Sequence, residues 1–237
     1  MVANVICVYA TVFGAAAIVL HVFIGLLRDA AQSIGQHAVS IANRISIGLL
    51  IWPALAITYA LLVGLNFISF IPVLIIPLAI GAALMFTPTV TEILSAISLH
   101  RLIGLGFYRV AGAIFLYCYY AAGTLSRGFA LNAGWGDVLT GVLALPVAWM
   151  VWKKLPGAGL AIIVWCAIGV GDLILAPVSA NLYGAERLVD FPLNLIPLFL
   201  GPPLGILLHL VTLRAGWLQR NQLTRRELEV LGNNFTG

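Results

Sequence analysis

The chain has 237 residues, 62% of them hydrophobic and only 8% charged, with a mean hydropathy of +1.09. A soluble domain carries about 25% charged residues, so the composition excludes a soluble globular enzyme, a disordered chain and a disulfide scaffold, and it points to a bilayer. The formal charge of +4 then reads as an excess on one membrane side rather than as a nucleic-acid surface.

Seven apolar runs of about 20 residues, the length a helix needs to cross a bilayer, follow one another along the chain. They cover residues 4–27, 45–66, 69–87, 105–126, 134–152, 159–180 and 192–214. The expected fold class is therefore all-α, a polytopic membrane helix bundle of about seven transmembrane helices occupying residues 1–215, followed by a polar cytoplasmic tail, 216–237. The first run lacks a basic n-region and a small-residue cleavage site, which predicts a retained helix rather than a signal peptide. The break at Leu65-Asn66-Phe67, with Pro72 beyond it, predicts a tight hairpin between the second and third spans. Residues 89–103 differ from the spans. Thr89 and Glu92 are spaced as a capping box, and Ile93, Leu94, Ile97, Leu99, Leu102 and Ile103 recur at helical spacing, so a short interfacial helix is expected.

The basic residues set an orientation. With the N-terminus outside and the C-terminus cytoplasmic, the inner side receives Arg28, Arg44, Arg101, Arg109, Lys153, Lys154, Arg214, Arg220, Arg225 and Arg226, and the outer side only Arg127 and Arg187. That bias satisfies the positive-inside rule and suits a bacterial inner membrane. Trp135 falls at the outer boundary and Trp152 and Trp217 at the inner one. Seven spans with one end outside are shared with retinal proteins, but those need a lysine within a span. Lys153 and Lys154, both in a loop, are the only lysines, which excludes retinal.

Ionisable groups within spans cost at least about 2.5–3.5 kcal/mol each at the centre and so mark candidate sites. Asp172, in Gly169-Val-Gly-Asp-Leu-Ile174, is the deepest. Gly169, Asp172, Ala176 and Ser179 share one small helical face suited to close packing. Asp137 sits in the matching string Gly134-Trp-Gly-Asp-Val-Leu139, near the start of its span, where the helix dipole favours a carboxylate, and its face, Asp137, Gly141, Ala144 and Ala148, is again small. An ion pair with Arg127 is its simplest expected partner. The last span reads Pro192-Leu-Asn-Leu-Ile-Pro197 and then Gly201-Pro202-Pro203, which predicts a kink or unwound stretch near mid-membrane. Such breaks mark binding sites in carriers. The candidate binding group is thus Asp172, Asp137, Arg127, Asn194, Gly201 and Pro202. A second, inner-face group is His21, His209, His100, Arg101 and Arg109. The last three suit a lipid headgroup, and His21 with His209 would be the ligands of a bis-His haem. No other cofactor and no metal is expected. Cys7, Cys118 and Cys166 lie in apolar runs and read as buried small hydrophobes.

The two Gly-x-Gly-Asp strings, around Asp137 and Asp172, resemble the motif of the presenilin, signal peptide peptidase and prepilin peptidase families. That resemblance implies an intramembrane aspartyl hydrolase with two carboxylates sharing a water. The Tyr-Asp string of the presenilin-like group is not present. In the tail, Gln222-Leu-Thr-Arg-Arg-Glu-Leu-Glu-Val-Leu231 resembles the opening of the helix-turn-helix domain of LuxR-type regulators. About ten residues cannot supply a recognition helix, and Thr224 with Glu227 reads more simply as a capping box. Nucleic acid is therefore not an expected partner; the bilayer is, with a homo-oligomer or a membrane complex. The leading functional expectation is a small-solute carrier linked to a proton or cation through an acidic cavity. The alternatives are a non-catalytic subunit or sensor binding a lipid, quinone or protein, and the hydrolase using Asp137 and Asp172.

Overall fold

A computed structural model describes residues 2–63, 67–121, 123, 125–183 and 196–221, and these are helical nearly throughout, with no strand among them. The elements are α1 Val2–Ile34, α2 Gln36–Val63, α3 Phe67–Met85, α4 Pro88–Ala96, α5 Leu99–Leu105, a 3-10 segment Gly106–Gly112, α6 Ala113–Tyr120, α7 Arg127–Lys153, α8 Ala158–Leu182 and α9 Ile196–Leu218. Five stretches are long and apolar enough to cross a membrane, in α1, α2, the α5–α6 run, α7 and α8; the bent pair of α3 and α4 makes a sixth if it is counted as one span.

Two tight turns organise the bundle. α1 and α2 are separated by Gly35 alone, whose φ of 142° lies where only glycine is comfortable. Across that turn the Arg28 Nε donates to Asn43 Oδ1 at 3.1 Å, so the helices fold back antiparallel. Residues 28–34 and 36–44 are thus helical and extend the first two apolar runs toward each other. α7 and α8 are joined through Lys154 and Gly157, both at positive φ, and Leu155 N returns to Met150 O at 2.9 Å to close the end of α7.

The packing puts small residues inside and large apolar ones outside. In α7, Ala130, Ala133, Gly134, Gly141 and Ala144 are buried, whereas Trp135, Leu139, Val142, Leu145, Trp149 and Trp152 are exposed. Small inward residues let backbones approach, which is how helices associate when the surroundings are themselves apolar. Two apolar clusters result. The larger joins α1, α4, α5, α7, α8 and α9 around Ile93, Leu102, Ile103 and Trp165. The smaller lies around Phe70, Phe129, Ala133 and Ala176.

Three expectations change. The run expected as a single helix over 105–126 begins at Leu99 and passes through a 3-10 turn. The expected interfacial helix 89–103 is accordingly divided. α4 ends at Ala96, with Thr87 rather than Thr89 at its N-cap and Pro88 in its first turn, where a missing amide costs nothing. α4 meets α3 at 85°, buries Val90, Ile93 and Leu94, and has its last carbonyls capped by Gln219 Nε2, which donates to Leu94 O and Ile97 O. Third, α9 stays helical through Gly201, Pro202 and Pro203 rather than unwinding. Both proline rings are buried, so packing holds the segment helical although each proline leaves one carbonyl without its usual amide.

Candidate functional site: a buried arginine between two aspartates

α7 and α8 bring Asp137 and Asp172 to the same level of the bundle, between the two apolar clusters. The small faces expected from the sequence do turn inward: Gly169, Ala176 and Ser179 are buried beside Asp172, and Gly141 and Ala144 beside Asp137. The third member comes from the 3-10 segment. Arg109 is 2% exposed. Its Nε donates to Asp137 Oδ1 at 2.7 Å, its Nη1 to the Gly169 carbonyl at 3.0 Å, and its Nη2 to Asp172 Oδ2. One guanidinium thus joins three helical segments. The planar fork of arginine suits this role, since it presents donors in several directions at once.

Glycines make the approach possible. A Cβ on Gly141 would lie 2.7 Å from the Val110 amide nitrogen, and a Cβ on Gly112 or Gly136 would strike Asp137 or Asp172 respectively. The 3-10 segment can therefore lie directly on α7. The 3-10 geometry is itself informative, because a stretch of it within a long helix marks a hinge or a local strain.

A second layer supports the cluster. Trp165 Nε1 donates to Thr140 O at 2.9 Å, and Thr140 Oγ1 donates back to Gly136 O. His209 of α9 is 1% exposed, with its ring 4.4 Å from that of Trp165. It packs against Gly169, the residue whose carbonyl receives Arg109. Beside the arginine lies a cavity of about 100 Å³, bounded by Tyr108, Arg109 and Gly112, by Thr11 and Ala15 of α1, and by Gly201 of α9. That is enough for several water molecules.

Of the residues singled out from the sequence, Asp137, Asp172 and Gly201 gather here and Arg109 joins them. Arg127 does not. It is exposed at the first position of α7, ten residues or about 15 Å along the helix from Asp137. Pro202 is buried in α9, and Asn194 lies outside the described residues. The inner-face group does not form either. Arg109 turns into the bundle away from exposed Arg101, and half-buried His100 has Ser98 Oγ as its neighbour at 3.4 Å. His21 is exposed on α1, while His209 is enclosed by Trp165 and Gly169. The His209 Nε2 lies against Gly169 inside the bundle, whereas His21 faces out of it, so the two histidines do not make a haem site. Nor do the two carboxylates share a water as an aspartyl hydrolase requires, because the arginine stands between them.

Arg109 is the member of the cluster whose place the expected span boundaries concealed. With the span begun at 105 it falls near the inner end; with Leu99 as the start it sits ten residues in. The charge balance held the signal, since two buried acids require a cation and Arg109 is the basic residue set within an apolar run.

Fold and site together define a class: an apolar helical bundle built around a buried Arg–Asp–Asp cluster. Residues 66–215 match the model of a domain of unknown function, DUF8737, over more than half of the chain, and the chain belongs to that family. The matched region contains all three cluster residues, whereas α1, which closes one side of the cavity, lies before it. No curated protein and no solved structure matches the chain.

Proposed function

We propose that the chain is a seven-span membrane protein whose Arg109–Asp137–Asp172 cluster takes up and releases a proton or small cation during carriage of a small solute. In this reading α3 and α9 complete the five apolar stretches, and α4 lies across the inner side. The N-terminus faces outward and the C-terminus the cytoplasm, in a bacterial inner membrane, with residues 216–237 as a tail. A reporter fused after Gly237 should then be cytoplasmic; an outer location overturns the orientation.

The observation that carries the reading is the charge count at the site. One guanidinium faces two carboxylates, which leaves one negative charge in excess when both acids are ionised. Such an excess within an apolar bundle is costly. A proton on one carboxylate, or a cation in the adjoining cavity, relieves it. The cluster has contacts on α7, α8 and the 3-10 segment, so its charge state acts on the packing of all three. Intramembrane ionisable groups with this kind of partner are characteristic of proton and ion pathways.

Infrared difference spectroscopy on protein in lipid tests the proposal without a known solute. A protonated-carboxyl band should grow on acidification and disappear in Asp172→Asn or Asp137→Asn, with the bundle still folded. If both carboxylates stay ionised wherever the protein is folded, the cluster is polar glue between helices and the non-catalytic subunit reading replaces the carrier.

A further inference from the structure

A second feature, independent of the cluster, lies on the opposite side of α9. α1, α2, α3 and α4 do not close completely on α9, and a groove of about 450 Å³ remains among them. Volumes of this size hold small molecules or single chains. Its walls are almost wholly apolar: Trp52, Pro77 and Pro203 mark one end, and Met85, Leu94 and Val211 lie toward the other. Gly48 opens it further, since a Cβ there would meet nothing within 4 Å.

The groove changes character at the second end. Arg44 of α2 is part of its wall and is exposed. Arg214 stands three residues beyond Val211 on α9, with its guanidinium 4.9 Å from the ring of Phe86, next to the wall residue Met85. The Arg214 Nε is buried and has no hydrogen-bond partner among the described residues. Neither arginine is paired with a carboxylate among those residues; the ion pairs there belong to Arg109. A buried guanidinium nitrogen without an acceptor is costly, and this one, together with the exposed Arg44 at the same end of an apolar channel, suits an anion attached to an apolar chain.

We propose that this groove binds one acyl chain of an anionic phospholipid, with the lipid phosphate held by Arg44 and Arg214. A basic pocket between helices, at the membrane side that carries the positive excess, is where anionic headgroups are recognised. The chain would lie along Ile45, Leu49, Leu84 and Leu207, and the phosphate oxygens would accept from the unpartnered Arg214 Nε.

The test uses the whole purified protein in nanodiscs of phosphatidylcholine carrying a minor fraction of phosphatidylglycerol with the same acyl chains. Co-purified lipid is then counted by native mass spectrometry. The wild type should retain phosphatidylglycerol over phosphatidylcholine. The Arg44→Gln/Arg214→Gln variant should lose that preference by about tenfold or more, as expected for removing two headgroup cations. Gly48→Leu fills the groove while leaving both arginines in place, and it should lower retention of either lipid. Inorganic phosphate and a soluble short-chain glycerophosphate should not compete at concentrations that saturate the lipid site. Equal retention of the two lipids by the wild type overturns the proposal, as does unchanged retention in Gly48→Leu or full competition by inorganic phosphate. Arg44→Lys/Arg214→Lys, which keeps the charge, should restore part of the preference and separates lost binding from a folding defect.

Discussion

Removing the guanidinium from between the two aspartates is the most direct perturbation of the structure. Arg109→Met keeps an apolar stem but leaves Asp137 and Asp172 without a cation, with side chains only 19% and 12% exposed. Breaking a buried ion pair by deleting one partner costs about 3–5 kcal/mol, because the remaining charge is uncompensated. Two acids depend on this one arginine, which places the expected loss at the upper part of that range. Protonation of the acids at low pH should recover some of it. The triple variant Arg109→Met/Asp137→Asn/Asp172→Asn carries no charge at the site, and neutral replacement of a whole buried cluster is often harmless or stabilising. It should therefore be more stable than Arg109→Met alone, a non-additivity that residues in one network must show. Equilibrium unfolding in mixed detergent micelles, followed by tryptophan fluorescence, reads these differences. If Arg109→Met unfolds with the wild type, or the triple variant falls below the single one, the cluster does not hold the three segments together. A triple variant that folds but no longer takes up a proton would separate the cluster's structural role from its chemical one.

Other expected outcomes concern the packing around the site. Gly141→Ala should destabilise by about 1–3 kcal/mol through overpacking, since its Cβ meets the Val110 backbone, whereas Gly48→Ala, in open space, should be neutral or gain up to about 1 kcal/mol of helix propensity; the same unfolding curves compare them. Trp165→Phe removes the donor to Thr140 O and should cost about 1 kcal/mol, visible as a lower unfolding midpoint; an unchanged midpoint would count against that bond. In a Cys7→Ser background, Cys118 and Cys166 are both buried and should resist a membrane-permeant maleimide until the protein unfolds, which mass spectrometry of the alkylated chain can follow. Rapid labelling of either thiol in the folded protein would contradict the burial.

The lateral organisation of the helices follows from local pattern. Gly169, Asp172, Ala176 and Ser179 recur at helical spacing, and no partner need be known to see that a small polar face must turn inward. The same holds for Asp137, Gly141 and Ala144. Where the pattern is interrupted, local reasoning reaches further than the structure allows. Gly201-Pro202-Pro203 weakens a helix in isolation, yet α9 continues because burial of the rings outweighs the lost amides.

Composition and periodicity alone define the class of chain: so few charges and such long apolar runs leave helices as the way to satisfy the backbone, and the two small faces name the aspartates that must be buried. Their partner depends on how the helices pack. Arg127 is closer in sequence to Asp137, but a helix carries it about 15 Å away. Arg109, 28 residues from Asp137 and 63 from Asp172, reaches both because the span begins at Leu99 and its 3-10 turn lies against the glycines of α7. An ion pair between segments depends on where three helices cross, and no local propensity encodes that crossing.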